Sequence, residues 1–130
     1  MKRYGFVIAL VAGLTACAMH SHNHGVVSGS ADLAAFFELP SDAVFEATLE
    51  DVSQADVAAT QVGRARLQPA GAPPFRFAID YDRNLIDARH RYTVRARVLS
   101  GERVLLVSDM AYPVLTLGAG DKVHILLKRS

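Results

Sequence analysis

The chain has 130 residues, 51% of them hydrophobic, and a formal net charge of +1. That length suits one domain, and the near-neutral balance lacks the basic surplus that a nucleic-acid surface requires, so nucleic acid is excluded as a partner. A single cysteine rules out an internal disulfide, and the core therefore rests on apolar burial alone.

Met1, Lys2 and Arg3 form a short positive region, followed by the uncharged run "YGFVIALVAGLTA". The run is shorter than the roughly 20 residues of a membrane span and has the length of a secretory signal. It ends in Leu14-Thr15-Ala16-Cys17, which reads as a lipobox. In that motif small residues let the backbone enter the signal peptidase site, and the cysteine thiol accepts a diacylglycerol group. Cleavage then leaves Cys17 as the new N-terminus, whose amine takes a further acyl chain. Two or three chains anchor stably where one does not, at about 0.8 kcal/mol per buried methylene. No other cofactor is expected. Ala18 follows where aspartate would favour inner-membrane retention, so the expected location is the outer membrane with the domain facing the periplasm. With Lys2 and Arg3 set aside, the remainder is slightly acidic.

The expected organisation is a signal peptide over residues 1–16, an acylated cysteine and flexible tether over 17–25, and a folded domain over 26–130. The tether "AMHSHNHG" has no apolar periodicity. In an extended chain His20, His22 and His24 point to one side, an arrangement that can catch Zn²⁺, Cu²⁺ or Ni²⁺. A solvated, merely histidine-rich linker is the plainer reading.

The rest of the chain reads as short strands. A first strand starts near Val26 and ends irregularly in "ADLAAFFELP", where Leu33, Phe36 and Phe37 also have helical spacing before Pro40. Pro40-Ser41-Asp42 then makes a turn. "AVFEATLED" turns Phe45, Ala47 and Leu49 to one face. "ATQVGRARL" alternates less well, and Gly63 marks a bulge or an edge. "PAGAPP" is a loop. "FRFAIDY" sets Phe75, Phe77, Ile79 and Tyr81 against Arg76, Ala78 and Asp80. "NLIDARHRY" resembles the corner before a sandwich strand, with Tyr92 packed inward and its hydroxyl bonded to backbone upstream. "YTVRARVLS" turns Tyr92, Val94, Ala96 and Val98 inward. Ser100-Gly101-Glu102 is a tight hairpin, "RVLLV" is apolar on both faces, and Gly118-Ala119-Gly120-Asp121 leads into "DKVHILLKR". About seven short strands with such punctuation predict an all-β domain, an antiparallel β-sandwich.

No catalytic arrangement stands out: there is no Gly-x-Ser-x-Gly, no His-Glu-x-x-His and no phosphate loop. His90 and His124 are isolated and read as surface or packing residues. Arg64, Arg66, Arg76, Arg95 and Arg97 fall on outward faces with Glu46, Glu50 and Asp80. Cross-strand ion pairing is the plain expectation, and a surface for an acidic partner the sharper one.

Four segments carry a family likeness: "LPSDAVFEATLEDVSQAD", "PPFRFAIDYD", "IDARHRYTVRARV" and "LLVSDMAYPVLTLG". Together they resemble the YbaY/YscW family of small bacterial lipoproteins, over nearly the whole domain. The Leu-Pro-x-Asp-Ala opening, the Leu-x-Asp-Val-Ser strand end and the Tyr-x-Val-x-Ala-Arg strand are its most specific features. The resemblance implies a non-catalytic β-sandwich lipoprotein at the outer membrane. YscW-type members are pilotins of type III secretion, which bind a secretin subunit's C-terminal segment and promote ring assembly. YbaY-type members carry the fold without an established secretion partner, and the shared domain does not separate the branches. Phe36, Phe37 and Tyr112 are the candidate partner contacts, with core packing as the alternative for each. Three readings stay open: a pilotin-like chaperone, a general envelope lipoprotein of unknown ligand, and a periplasmic metal binder using the histidine tether. Oligomeric state is not legible.

Overall fold

The computed structural model describes residues 23–130. The residues read as a lipobox, Leu14, Thr15 and Ala16, the expected acylation site Cys17, the expected sorting residue Ala18, and His20 and His22 lie outside the described residues. The fold consists of β1 (His24–Leu33), β2 (Val44–Asp51), β3 (Thr60–Leu67), β4 (Phe75–Asp82), a 3-10 turn (Arg83–Leu85), β5 (Tyr92–Ser100), β6 (Arg103–Ser108), β7 (Tyr112–Val114) and β8 (Lys122–Arg129). The expected strands are present at the expected places. β7 is an additional short strand, and β1 starts at His24, inside the stretch read as tether.

The antiparallel sandwich is overturned. All eight strands belong to one sheet in the order β3-β2-β5-β6-β8-β1-β4, with β7 also paired to β5. β1 and β8 run parallel, with Gly29 opposite Val123 and Ala31 opposite Ile125, while the other pairs are antiparallel. The sheet curls until its edge strands β3 and β4 lie against each other, giving a nearly closed barrel. Alternation predicts one buried face per strand in a sandwich and in a barrel alike, so the sequence pattern fits both. What separates them is the continuous ladder through the parallel pair, a contact between strands remote in sequence.

Two glycines permit these close approaches. A Cβ on Gly63 would stand 2.7 Å from the Asp80 carbonyl oxygen and 2.8 Å from Ile79 Cγ2, so the glycine lets β3 cross β4 at the seam. The β2–β3 register slips beside it, at Leu49/Glu50, which is the expected bulge on an edge strand. A Cβ on Gly29 would stand 2.0 Å from the Val123 carbonyl oxygen, so side-chain-free backbone is required where β1 meets β8.

The core fills the barrel. Phe45, Ala47 and Leu49 of β2, Phe75, Phe77 and Ile79 of β4, and Val94 and Val98 of β5 are buried as the alternation predicts. Phe45 stacks on Phe75 with ring centroids 5.1 Å apart and tilts against Phe77 at 5.6 Å. β6, apolar on both faces, lies between β5 and β8, and Leu106 is its fully buried residue.

Registers sort the connections to two ends of the barrel. His24 stands opposite Asp82, Asp51 opposite Tyr92, and Tyr92 opposite Val114. The start of β1 and the loops 52–59, 83–91 and 115–121 therefore share one end, here the tether end. Loops 34–43, 68–74 and 101–102 lie at the other, as Val44 opposite Leu99 and Ala31 opposite Phe75 require.

Candidate docking site

Tyr92 organises the tether end. It is buried, its hydroxyl accepts the Asp87 amide at 2.9 Å, and it donates to the Leu85 carbonyl at 3.4 Å. This is the inward tyrosine with upstream backbone bonds expected from the sequence. The adjoining polar cluster was not legible. His90 Nδ1 lies 2.7 Å from Asp51 Oδ2, the His90 ring stacks on Tyr92, and the Ser53 hydroxyl bonds both Asp51 and the Arg91 amide. Burial raises the Asp51 carboxyl, but bonds from Ser53 and His90 outweigh it and hold it below the usual carboxylate range. The Arg89 side chain and amide hydrogen-bond to Asp87 and hold its carboxyl down to about 2. These bonds run within the corner. Among the described residues no group of three His, Cys, Asp or Glu is arranged to hold a metal ion. His24, the described member of the tether histidines, stands in β1 opposite Asp82.

The outer wall over β2, β5 and β6 carries a groove of about 650 Å³ lined by Glu46, Glu50, Arg95, Arg97, Val107 and Met110. Glu46, only 8% exposed, is shared by Arg97 at 3.0 Å and Arg66 at 3.5 Å, and Glu50 pairs with Arg95 at 3.4 Å. The register explains this, since Glu46 stands opposite Arg66 on one side and Arg97 on the other. Cross-strand pairing thus engages three of the five arginines, as the plain expectation holds, and the groove's charges are largely matched within the sheet.

The far end differs. After β1 the Ala34 amide bonds the Leu127 carbonyl at 2.8 Å, and the chain then bends away rather than forming a helix. That bend leaves a groove of about 350 Å³ between residues 34–37 and the ends of β6 and β8. Leu106 and Leu127 form its floor, and Phe36 and Phe37 one wall. Phe36 is 85% exposed, whereas Phe37 packs against the core and lies beneath the Arg129 guanidinium, 5.1 Å from the ring centroid. An aromatic ring left in water beside an apolar floor is a docking feature, because covering it removes apolar area from solvent at about 25 cal/mol per Å².

Of the three candidate contacts, the structure thus brings Phe36 and Phe37 to one groove. Tyr112 lies elsewhere and acts as a brace. Its hydroxyl donates to Asp109 and accepts the Leu126 amide at 3.0 Å, fastening the 109–112 segment to β8 beyond the end of β6. Burial, and then the bond to Asp109, push its hydroxyl above the usual tyrosine range.

Comparison with known proteins gives this geometry a family. The chain is 26% identical over 102 residues to the uncharacterized lipoprotein YbaY of Escherichia coli (strain K12), covering 78% of this chain. It spans about half, 53%, of the length of that relative. Its fold is similar to the structure of an alternative pilotin from the type II secretion system of Vibrio cholerae, with a TM-score of 0.77 and 31% sequence identity. That likeness covers 82% of this chain and 97% of the pilotin. The family model described as "Type III secretion system lipoprotein chaperone (YscW)" matches residues 22–127, and the chain belongs to that family.

Proposed function

We propose that this chain is a non-catalytic, pilotin-like chaperone, acylated at Cys17, held at the outer membrane and facing the periplasm, which takes a secretin subunit segment on its Phe36/Phe37 groove. The observation that carries the reading is the position of that groove. It lies at the end of the barrel opposite the start of β1, where the chain arrives from Cys17. Strands of eight to ten residues, at about 3.3 Å per residue and tilted by roughly 40° to the barrel axis, separate the two ends by about 20–25 Å. A groove so placed is held out from the bilayer, where an incoming polypeptide reaches it. The likeness to a pilotin over most of both chains supports a chaperone rather than an enzyme. An amphipathic segment laid in the groove against the exposed Phe36 ring would bury apolar surface by the groove mode of peptide recognition.

The test pairs two variants in a strain that depends on its secretin. Cys17→Ser is expected to move the chain from the membrane to the soluble fraction and to reduce secretin multimers. Phe36→Asp is expected to keep membrane fractionation and still reduce multimers. Normal multimers in both variants would return the chain to the general envelope lipoproteins with another ligand.

A further inference from the structure

The tether end carries a feature that the chaperone reading does not use. Among the described residues seven large apolar side chains stand exposed. Three of them sit on the three loops of the tether end, one on each: Val57 (59% exposed), Leu85 (59%) and Leu117 (64%). The loops are bound into one platform. The Val52 amide bonds the Arg91 carbonyl at 2.9 Å, the Arg91 amide bonds Ser53, and the Thr116 hydroxyl bonds the His90 carbonyl at 2.5 Å. The incoming chain joins the same platform, since the Arg83 amide bonds the Asn23 carbonyl at 2.8 Å and the Asn23 side-chain amide bonds Asn84. Charge does not single out an anionic ligand, because Arg83, Arg89 and Arg91 stand among Asp56, Asp82 and Asp87.

We infer that Val57, Leu85 and Leu117 are a lipid-contact face, and that the barrel rests on the phospholipid surface on these three loop tips. The inference builds on acylation at Cys17. Six residue steps from Cys17 to Asn23 span at most about 20 Å, so an anchored chain cannot carry this end far from the headgroups. Three apolar tips bind a bilayer weakly on their own. The short tether makes their contact intramolecular, at an effective concentration on the order of millimolar, where weak insertion suffices. Resting on three points fixes the barrel upright and points the Phe36 groove away from the membrane. Because the charges at this end are mixed, the contact depends on apolar insertion and is insensitive to salt.

The experiment uses the mature acylated chain in vesicles of phosphatidylethanolamine and phosphatidylglycerol that carry a nitroxide on the acyl chains. Cys17 is the sole cysteine and is blocked as a thioether once lipidated, so one introduced cysteine takes an environment-sensitive dye alone. Ala88→Cys reports the tether end and Ser41→Cys the far end; both positions are exposed. The Ala88→Cys probe should be quenched several-fold more than the Ser41→Cys probe, and high salt should not change this. The difference should fall several-fold, to the residual that the short tether alone imposes, when Val57, Leu85 and Leu117 are all changed to Ser, with the chain still floating with the vesicles and its melting profile kept. Equal quenching of the two probes in the otherwise unchanged chain, with flotation intact, would overturn the inference. So would a difference that the triple change leaves undiminished. Dye uptake by the parent chain, or loss of flotation, would instead strike at the acylation reading.

Discussion

The two ends of the barrel expose apolar residues in opposite ways. At the tether end, loops 52–59, 83–91 and 115–121 are cross-linked by hydrogen bonds through Tyr92, His90 and Ser53, and each carries one exposed large apolar residue. At the far end, one bend after β1 leaves an aromatic wall beside a floor of core leucines, and Phe36 has little holding it. The first arrangement suits a rigid stand on a flat surface. The second suits a groove that takes in a segment of another chain. The difference teaches that polar bonds shape one end and an uncovered aromatic ring the other, so stability and binding should respond to different substitutions.

Tyr92→Phe should produce the largest change in stability. It leaves the Asp87 amide without its partner in a part-buried corner, which costs about 1–2 kcal/mol. A lowered urea midpoint would register this, with amide exchange rising first in residues 83–91. If exchange rose equally at both ends, the idea of a separately braced tether end would fail.

Acid should act at the same end, by a smaller amount. Asp87 is held to about 2 and Asp51 below its usual range, so both are ionised more readily in the folded chain than in the unfolded one. A carboxyl with a lowered folded pKa adds stability that is complete above its unfolded value and is lost as pH falls through the folded one. The corner should therefore loosen from about pH 4 down to about pH 2, and Asp87→Asn should flatten that decline in melting temperature. An unchanged decline would assign acid sensitivity to other carboxylates.

Phe36→Ser is expected to have the smallest effect on folding. An 85% exposed side chain contributes little, so the urea midpoint should stay within about 0.5 kcal/mol of the parent. A larger loss would mean that Phe36 supports the core and is not free to receive a partner.

Much of the barrel was legible as strands. β4 alternates without fault, and its buried and exposed residues fall where period two puts them. Tyr92, the Gly63 bulge and the Glu46–Arg66 pair also follow from local pattern, because each depends on neighbours in sequence or on the consecutive strands β2 and β3, whereas Glu46–Arg97 joins strands remote in sequence. The closure of the sheet was not legible. It depends on β1 meeting β8 and on β3 meeting β4, and alternation names a strand's inner face but not its neighbours. β7 escaped because three residues around Pro113 carry no periodicity. The candidate site was half legible. Of the three candidate contacts named from the sequence, Phe36 and Phe37 meet in one groove, while Tyr112 proves to be a brace. Val57, Leu85 and Leu117 gave no signal, since the pattern of a loop does not tell which of its apolar residues the fold leaves in water.

The parallel pairing of β1 with β8 also sets an order of events in time. Every other strand can find a partner soon after it is made, but β1 lies between β4 and a strand at the opposite end of the domain. Contacts of such sequence separation form late, because the intervening chain must be gathered before they bring any gain. The strand joined to the tether is thus the one whose final ladder waits longest. Arrival of β8 is therefore the step that completes the ladder on both sides of β1.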